Sequence, residues 1–222
     1  MLYVVATPIG NMGDLTQRAA EMLKACDFVI AENPQYSRRL LEHIGAWPKD
    51  MVQFAEHNEQ QVVKELTRRL AKQNGSLVTD AGMPGISDPG FRLVRECVKE
   101  GVEVVPLPGA NAAVAALAAS GLPTDRFLFL GFLQKTAAKT VAALQAAADA
   151  EATAVFYESP ERIVKTVSYI ANAFPLSRVV LARELTKVHE EFIRGGAGEV
   201  LAKLKERPSI KGEFTVLVSF KS

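Results

Sequence analysis

Cysteine, histidine and tryptophan are scarce in this 222-residue chain, which has two, three and one of them. Cys26 and Cys97 fall in apolar-periodic segments. They read as small core residues of a reduced protein, not as a disulfide framework or a metal site. His43, His57 and His189 show no metal-ligand spacing. Neither sign of charge is in excess: 26 Lys and Arg against 25 Asp and Glu leave +1, so no global positive field gathers nucleic acid. No apolar run approaches the roughly 20 residues of a membrane helix, and no basic stretch precedes the first apolar segment. Neither a membrane span nor a signal peptide is therefore expected, and the default compartment is the cytoplasm. A P-loop lysine, GxGxxG, a nucleophile elbow and a Cys-His signature are also missing. What remains is ordinary globular usage, 48% hydrophobic and 23% charged, which excludes a disordered chain and fits one long domain or two short ones.

The first half alternates short apolar runs with amphipathic stretches. Strands are predicted at residues 2–6, 28–31, 51–54, 76–79 and 102–106. Helices are predicted at 16–26, 36–44, from a cap at Asn58 to about 73 with Gly75 as the stop, and from Pro89 to 100. This pattern predicts a mostly parallel, doubly wound sheet whose strands are covered on both faces. An Ala-rich helix at 110–120 follows, and a domain boundary is expected near it. The second half has more strands per helix: strands at 126–132, 153–157, 178–183, 190–194 and 213–220, and helices at 137–148, from Pro160 to 173, and at 199–204. A mixed sheet in an α+β domain is expected. The two domains are set at 1–111 and 112–222.

Ligands of open α/β sheets bind at the carboxyl ends of strands, which selects the loops after the strands. Thr7-Pro8-Ile9-Gly10-Asn11 reads first as a tight strand–helix turn. Asp80-Ala81-Gly82-Met83-Pro84-Gly85-Ile86-Ser87-Asp88-Pro89-Gly90 is long and rich in Gly and Pro, offering backbone amides and two carboxylates to a ligand. Asp88 reads equally well as a helix cap. In Pro106-Leu107-Pro108-Gly109-Ala110-Asn111, Gly109 gives backbone access and Asn111 a polar edge. Phe156-Tyr157-Glu158-Ser159-Pro160 delivers an aromatic and a carboxylate, with Ser159 as a helix cap. In the charged run after residue 182, Arg183 and Lys187 fall on one face if the segment is extended, and can hold a phosphate.

Together these segments resemble the ribosomal RNA small-subunit methyltransferase I group of the tetrapyrrole methylase superfamily. The resemblance runs from Leu2-Tyr3-Val4-Val5-Ala6-Thr7-Pro8-Ile9-Gly10-Asn11 through Asp80-Ala81-Gly82, Ile86-Ser87-Asp88-Pro89-Gly90 and Pro106-Leu107-Pro108-Gly109. It continues in Ser120-Gly121-Leu122-Pro123-Thr124-Asp125-Arg126-Phe127, Phe156-Tyr157-Glu158-Ser159-Pro160, Ala182-Arg183-Glu184-Leu185-Thr186-Lys187 and Lys211-Gly212-Glu213-Phe214, nearly the whole chain. It implies a two-domain tetrapyrrole-methylase-like α/β fold, a homodimer, and S-adenosylmethionine held between the domains. The implied reaction is methyl transfer to the ribose 2′-hydroxyl of a cytidine in small-subunit ribosomal RNA. Carried onto this chain, donor binding falls to Pro8, to Asp80, Ala81, Gly82 and Met83, to Pro108, Gly109, Ala110 and Asn111, and to Phe156 and Tyr157. Glu32, Asp88, Glu184 and Lys187 are candidate bases for the hydroxyl proton. Arg38, Arg39, Arg183 and Lys187 are candidate phosphate contacts. No metal is implied.

Three motifs depart from the group's pattern. Asn33-Pro34-Gln35 stands where the group has Asp-Thr-Arg, Met83 and Gly85 replace Thr and Leu, and Gln134-Lys135-Thr136 replaces Pro-Arg-Lys. The chain also ends without the small helical extension common in the group. These changes keep open a small-molecule or different RNA acceptor, or a module that binds the donor without catalysis. Residues 1–111 carry 12 basic and 14 acidic side chains, net −2, and residues 112–222 carry 14 and 11, net +3. RNA binding thus requires a local patch.

Overall fold

The computed structural model describes residues 1–220, and its chain divides into two compact units, Met1–Asn111 and Ala112–Ser222. In the first, strands β1 (Leu2–Val5), β2 (Phe28–Ala31), β3 (Asp50–Gln53), β4 (Gly75–Val78) and β5 (Val104–Leu107) form one sheet in the order β3-β2-β4-β1-β5. Every pair is parallel. Helices α1 (Gln17–Ala25), α2 (Pro34–His43), α3 (Glu59–Leu70) and α4 (Phe91–Lys99) connect them.

Strand alternation builds two cores from one sheet. Leu2, Phe28, Ile30 and Leu77 face Leu66, Leu70, Leu93 and Cys97 of α3 and α4. Val5, Val29, Ala31 and Val78 face Ala19, Leu23, Leu40 and Leu41 of α1 and α2. Each fully buried leucine contributes about 1.5–3 kcal/mol. Both cysteines are free and buried, one in each core.

The adjacent strands β1 and β4 therefore send their following helices, α1 and α4, to opposite faces. Such a reversal opens a crevice at the carboxyl ends of the two strands.

Local chemistry sets the helix starts, in some places differently from the sequence reading. Asn33 caps α2, its Oδ1 accepting from the amides of Gln35 and Tyr36, with Pro34 in the first turn. Asn58 precedes α3 but does not cap it; its Oδ1 accepts from the Ala55 amide and its Nδ2 donates to the Gln53 carbonyl. Helix α3 ends at Leu70, before Gly75, which instead opens β4. A Cβ at Gly75 would lie 2.7 Å from Leu70 Cδ2 and 2.8 Å from Phe28 Cζ. Helix α4 starts at Phe91 behind Gly90, so Pro89 lies outside it and Asp88 makes no cap.

In the second unit, α5 (Ala112–Ser120) precedes β6 (Phe127–Phe132), α6 (Ala137–Asp149), β7 (Thr153–Glu158), α7 (Ile163–Ala173), β8 (Arg178–Arg183), β9 (Glu191–Gly196), α8 (Ala197–Lys205) and β10 (Phe214–Ser219). The sheet order is β6-β7-β10-β8-β9, with β6 parallel to β7 and the other pairs antiparallel. Leu144, Val167, Ile170, Val200 and Leu204 from α6, α7 and α8 pack on one sheet face. The small residues of α5 pack against β7, β8 and β10. Arg194 donates to the carbonyls of Ala119 (2.7 Å) and Ser120 (3.2 Å), satisfying the end of α5. Ser159 does not cap α7: the helix begins four residues later, after a turn in which the Ser159 carbonyl accepts from the amides of Arg162 and Ile163. Among the described residues, no helix is long and apolar enough to cross a membrane.

Candidate active site

Three loops converge at the β1–β4 crevice. Thr7 and Gly82 form an isolated antiparallel bridge, with N–O distances of 2.9 and 3.1 Å, and Thr7 Oγ1 donates to the Thr79 carbonyl. Gly82 has φ +85, and a Cβ built on it would meet Ile9 Cγ2 at 3.5 Å and the Ala110 carbonyl at 3.9 Å. A Cβ on Gly109 would lie 2.7 Å from that of Ala6. Glycine is thus required where the loops after β1, β4 and β5 approach one another. Of the expected donor residues, Gly82, Gly109 and Ala110 lie in these close approaches, and Pro8 and Asp80 line the cavity described below. Met83 turns its side chain onto the core of the α3–α4 face. The β4 loop then folds on itself: the Gly85 amide donates to the Pro89 carbonyl, and Gly90, at φ +150, lies against Gly85.

Glu32, Asp80 and Asp88 gather beside the crevice, and the Asp80 amide donates to Glu32 Oε2 at 3.4 Å. Burial pushes the Asp88 carboxyl up to about 7, and the charges of Glu32 and Asp80 add to this. Burial also raises Glu32, opposed by its hydrogen bond from the Asp80 amide and assisted by the Asp80 charge. Asp80 is raised by burial against a hydrogen bond from the Asn33 backbone. None of the three pairs with a cation among the described residues.

Next to them lies a cavity of about 140 Å³ lined by Thr7, Pro8, Gly10, Met12, Tyr36, Ser37, Arg39, Leu40, Thr79 and Asp80. Ser37 Oγ, Thr79 Oγ1 and Asp80 Oδ1 are buried without a hydrogen-bond partner among the described residues. Sequence reasoning missed Tyr36, Ser37 and Thr79; a serine on the apolar face of α2, beside Leu40 and Leu41, was the available signal. The two arginines of α2 part company. Arg39 faces this cavity, whereas Arg38 pairs with Glu42 at 2.6 Å and lies over Trp47.

The second-unit candidates fare differently. Alternation along β7 turns Phe156 into the core, fully buried between β6 and β10, which corrects its expected place in the donor site. Tyr157 lies on the other face, edge-on to Phe129 and Phe132. Glu158 is a buried structural group: it accepts from Thr166 Oγ1 (2.6 Å) and the Ser159 amide (2.9 Å), and pairs with Arg162.

The segment after Arg183 is not extended, which corrects the shared-face expectation for Arg183 and Lys187. Glu184 and Thr186 have φ +51 and +64, and the Lys187 amide donates to the Glu184 carbonyl. Lys187 pairs with Glu184 and Glu213, both at 2.9 Å. Arg183 pairs with Glu191 and donates to the Lys211 carbonyl. The hydrogen bond from Lys187 leads in lowering the Glu184 carboxyl; for Lys187, burial pulls down but its carboxylate partners raise it on balance. Both are held in their charged forms, which weakens Glu184 as a base and removes Lys187 as one. Among the described residues no group of three or more His, Cys, Asp or Glu could hold a metal.

The profile of the tetrapyrrole (corrin/porphyrin) methylases matches residues 1–201. The ribosomal RNA small subunit methyltransferase I of Halalkalibacterium halodurans is 45% identical over 98% of this chain and 75% of its own length. The protein of that name from Escherichia coli O157:H7 is 45% identical over 98% and 77%, and that from Hydrogenobaculum is 40% identical over 98% and 95%. The chain belongs to this methyltransferase I family, within the tetrapyrrole methylases. Diphthine synthase (TM-score 0.73, 16% identity, covering 98% of this chain and 89% of its own) and the methyltransferase CobJ (0.71, 18%, 98% and 93%) share its fold.

Against the family pattern, the Asn33-Pro34 departure keeps the start of α2, since asparagine caps as well as aspartate and proline suits the first turn. Gly85 adopts φ +83, so a leucine there requires a different backbone. The Gln134 carbonyl accepts from Thr140 Oγ1 and Arg162, fixing the turn before α6 without a proline.

Proposed function

We propose that this protein is an S-adenosylmethionine-dependent methyltransferase acting on the ribose 2′-hydroxyl of a cytidine in small-subunit ribosomal RNA. The observation that carries the reading is the convergence of three glycine-bearing loops at the β1–β4 crevice beside three carboxylates with no counter-ion among the described residues. S-adenosylmethionine, when bound, supplies a methyl group already activated on a sulfonium. Its cationic groups would complement Glu32 and Asp80, beside the loops at residues 80–83 and 108–111 and Pro8. Pro8, Asp80, Ala81, Gly82, Pro108, Gly109, Ala110 and Asn111 would hold it.

The protein's remaining task is positioning and proton removal. We assign the proton acceptor to Asp88, whose carboxyl is pushed up to about 7 by burial first and by the charges of Glu32 and Asp80 after it. Arg39 is the phosphate contact on α2, its guanidinium having no ion-pair partner among the described residues. We further propose a homodimer, as the family resemblance implies, and the cytoplasm as its compartment.

The test is labelled-methyl transfer to small ribosomal subunits lacking the modification. Ribose label on a cytidine is expected, with Asp88→Asn lowering kcat and leaving donor affinity near wild type; base label, or none with donor bound, refutes it. The ion pairs that occupy Arg183 and Lys187 favour one alternative, a small-molecule acceptor. In that case transfer persists at high salt and subunits do not compete.

A further inference from the structure

The cavity against α2 is walled by polar groups that the described residues leave unpaired. Ser37 and Thr79 are 3% and 2% exposed, and their hydroxyl oxygens, with Asp80 Oδ1, lack partners. Buried polar groups left unpaired are rare and costly, and each calls for an explanation. Thr7 shows the contrast: it lines the same wall and spends its hydroxyl on the Thr79 carbonyl. The other walls are Pro8, Met12, Leu40 and the half-exposed Tyr36 ring, and Arg39 stands over the cavity.

The dimensions and chemistry restrict the occupant. A volume of about 140 Å³ matches the roughly 150 Å³ cavity that holds one six-membered ring, and is small for a fused bicycle. Apolar walls suit a flat ring. An ionised Asp80 oxygen only accepts, so the ring must present a donor there; the two hydroxyls serve donor or acceptor. Arg39 suits an anionic group at the opening.

We propose that this cavity reads one unpaired pyrimidine nucleotide, with Ser37, Thr79 and Asp80 on the edge of an amine-bearing ring, Tyr36 beside it and Arg39 on its phosphate. The inference rests on the reading that the acceptor is RNA, and it identifies which residues choose the base. Recognition of unstacked bases through their polar edges is the usual route to RNA sequence specificity.

Ser37→Ala and Thr79→Val, alone and combined, test it with three readouts: thermal unfolding without ligand, S-adenosylmethionine affinity by calorimetry, and binding of cytidine and uridine 5′-monophosphate by ligand-observed NMR. Hydroxyls without a partner in the free protein leave the melting temperature unchanged or raised when removed. Each substitution is expected to weaken cytidine monophosphate roughly three- to tenfold, to shrink its advantage over uridine monophosphate, and to leave donor affinity alone. Equal cytidine monophosphate binding by wild type and double variant overturns the inference, as does no saturable binding to wild type, or a lowered melting temperature with unchanged binding. If RNA methylation proceeds while nucleotide binding ignores the substitutions, the cavity proposal fails and the reaction stands. If nucleotide binding responds but no RNA is methylated, the reaction fails and the cavity proposal stands.

Discussion

Asp88→Asn separates the cost of the carboxylate cluster from its use. The Asp88 carboxyl rises from 3.8 to about 7, chiefly through burial, then through Glu32 and Asp80. Because the folded value lies above the unfolded one, the folded protein binds a proton that the unfolded chain releases, and stability falls as pH rises from 4 to 7. A shift of that size corresponds to about 4 kcal/mol, but Asp88 is only half-buried, and solvent screening reduces the expectation to about 1–2 kcal/mol. The neutral asparagine avoids this penalty. The variant's stability relative to wild type should therefore be least favourable near pH 4, climb towards pH 7 and level off above it. Urea unfolding at half-unit steps from pH 4 to 8.5 measures the difference curve. The same variant should lose transfer activity throughout that range. A flat difference curve, or a variant less stable than wild type at pH 8, refutes the reasoning that places Asp88 among uncompensated negative charges.

Other expectations follow from particular contacts. Thr166→Val removes the 2.6 Å hydrogen bond to buried Glu158 and should cost about 1.5–3 kcal/mol in urea unfolding, with donor binding unchanged. Gly90→Ala places a Cβ 2.8 Å from the Gly85 amide nitrogen at φ +150 and should cost about 2–5 kcal/mol, with loss of donor binding by calorimetry. Gly45→Ala, at φ +70 with nothing within 4 Å, should cost only about 1–2 kcal/mol and leave the donor site intact. Arg39→Gln should weaken ribosomal-subunit binding and lower the salt slope by about 1, whereas Arg38→Gln should change neither.

What was legible in the sequence was local. The runs that became β1, β2 and β4 are mostly apolar because both faces of those strands are covered. The Gly- and Pro-rich loop at residues 80–90 announced itself because Gly82, Gly85 and Gly90 hold backbone angles other residues resist. What was hidden depended on distant partners. Lys187 becomes a structural cation only because Glu213, remote in sequence, reaches it beside Glu184. The fate of Phe156 depends on which face of β7 meets α6 and α7, which a two-residue period alone does not state. Asn58 has the composition of a cap, but Gln53 and Ala55 reach its amide first. The α2 cavity escaped notice because Ser37 looks like an ordinary helix residue until α2 is set against the loop after β1.

The central claim is that the β1–β4 crevice holds S-adenosylmethionine for transfer to a ribose. The most direct measurement is nucleoside analysis of small-subunit RNA after incubation with the protein and methyl-labelled donor, starting from subunits that lack the modification. A 2′-O-methylcytidine carrying the label, absent with Asp88→Asn, is the result expected. Label on a base, or donor bound with no label reaching RNA, would contradict it.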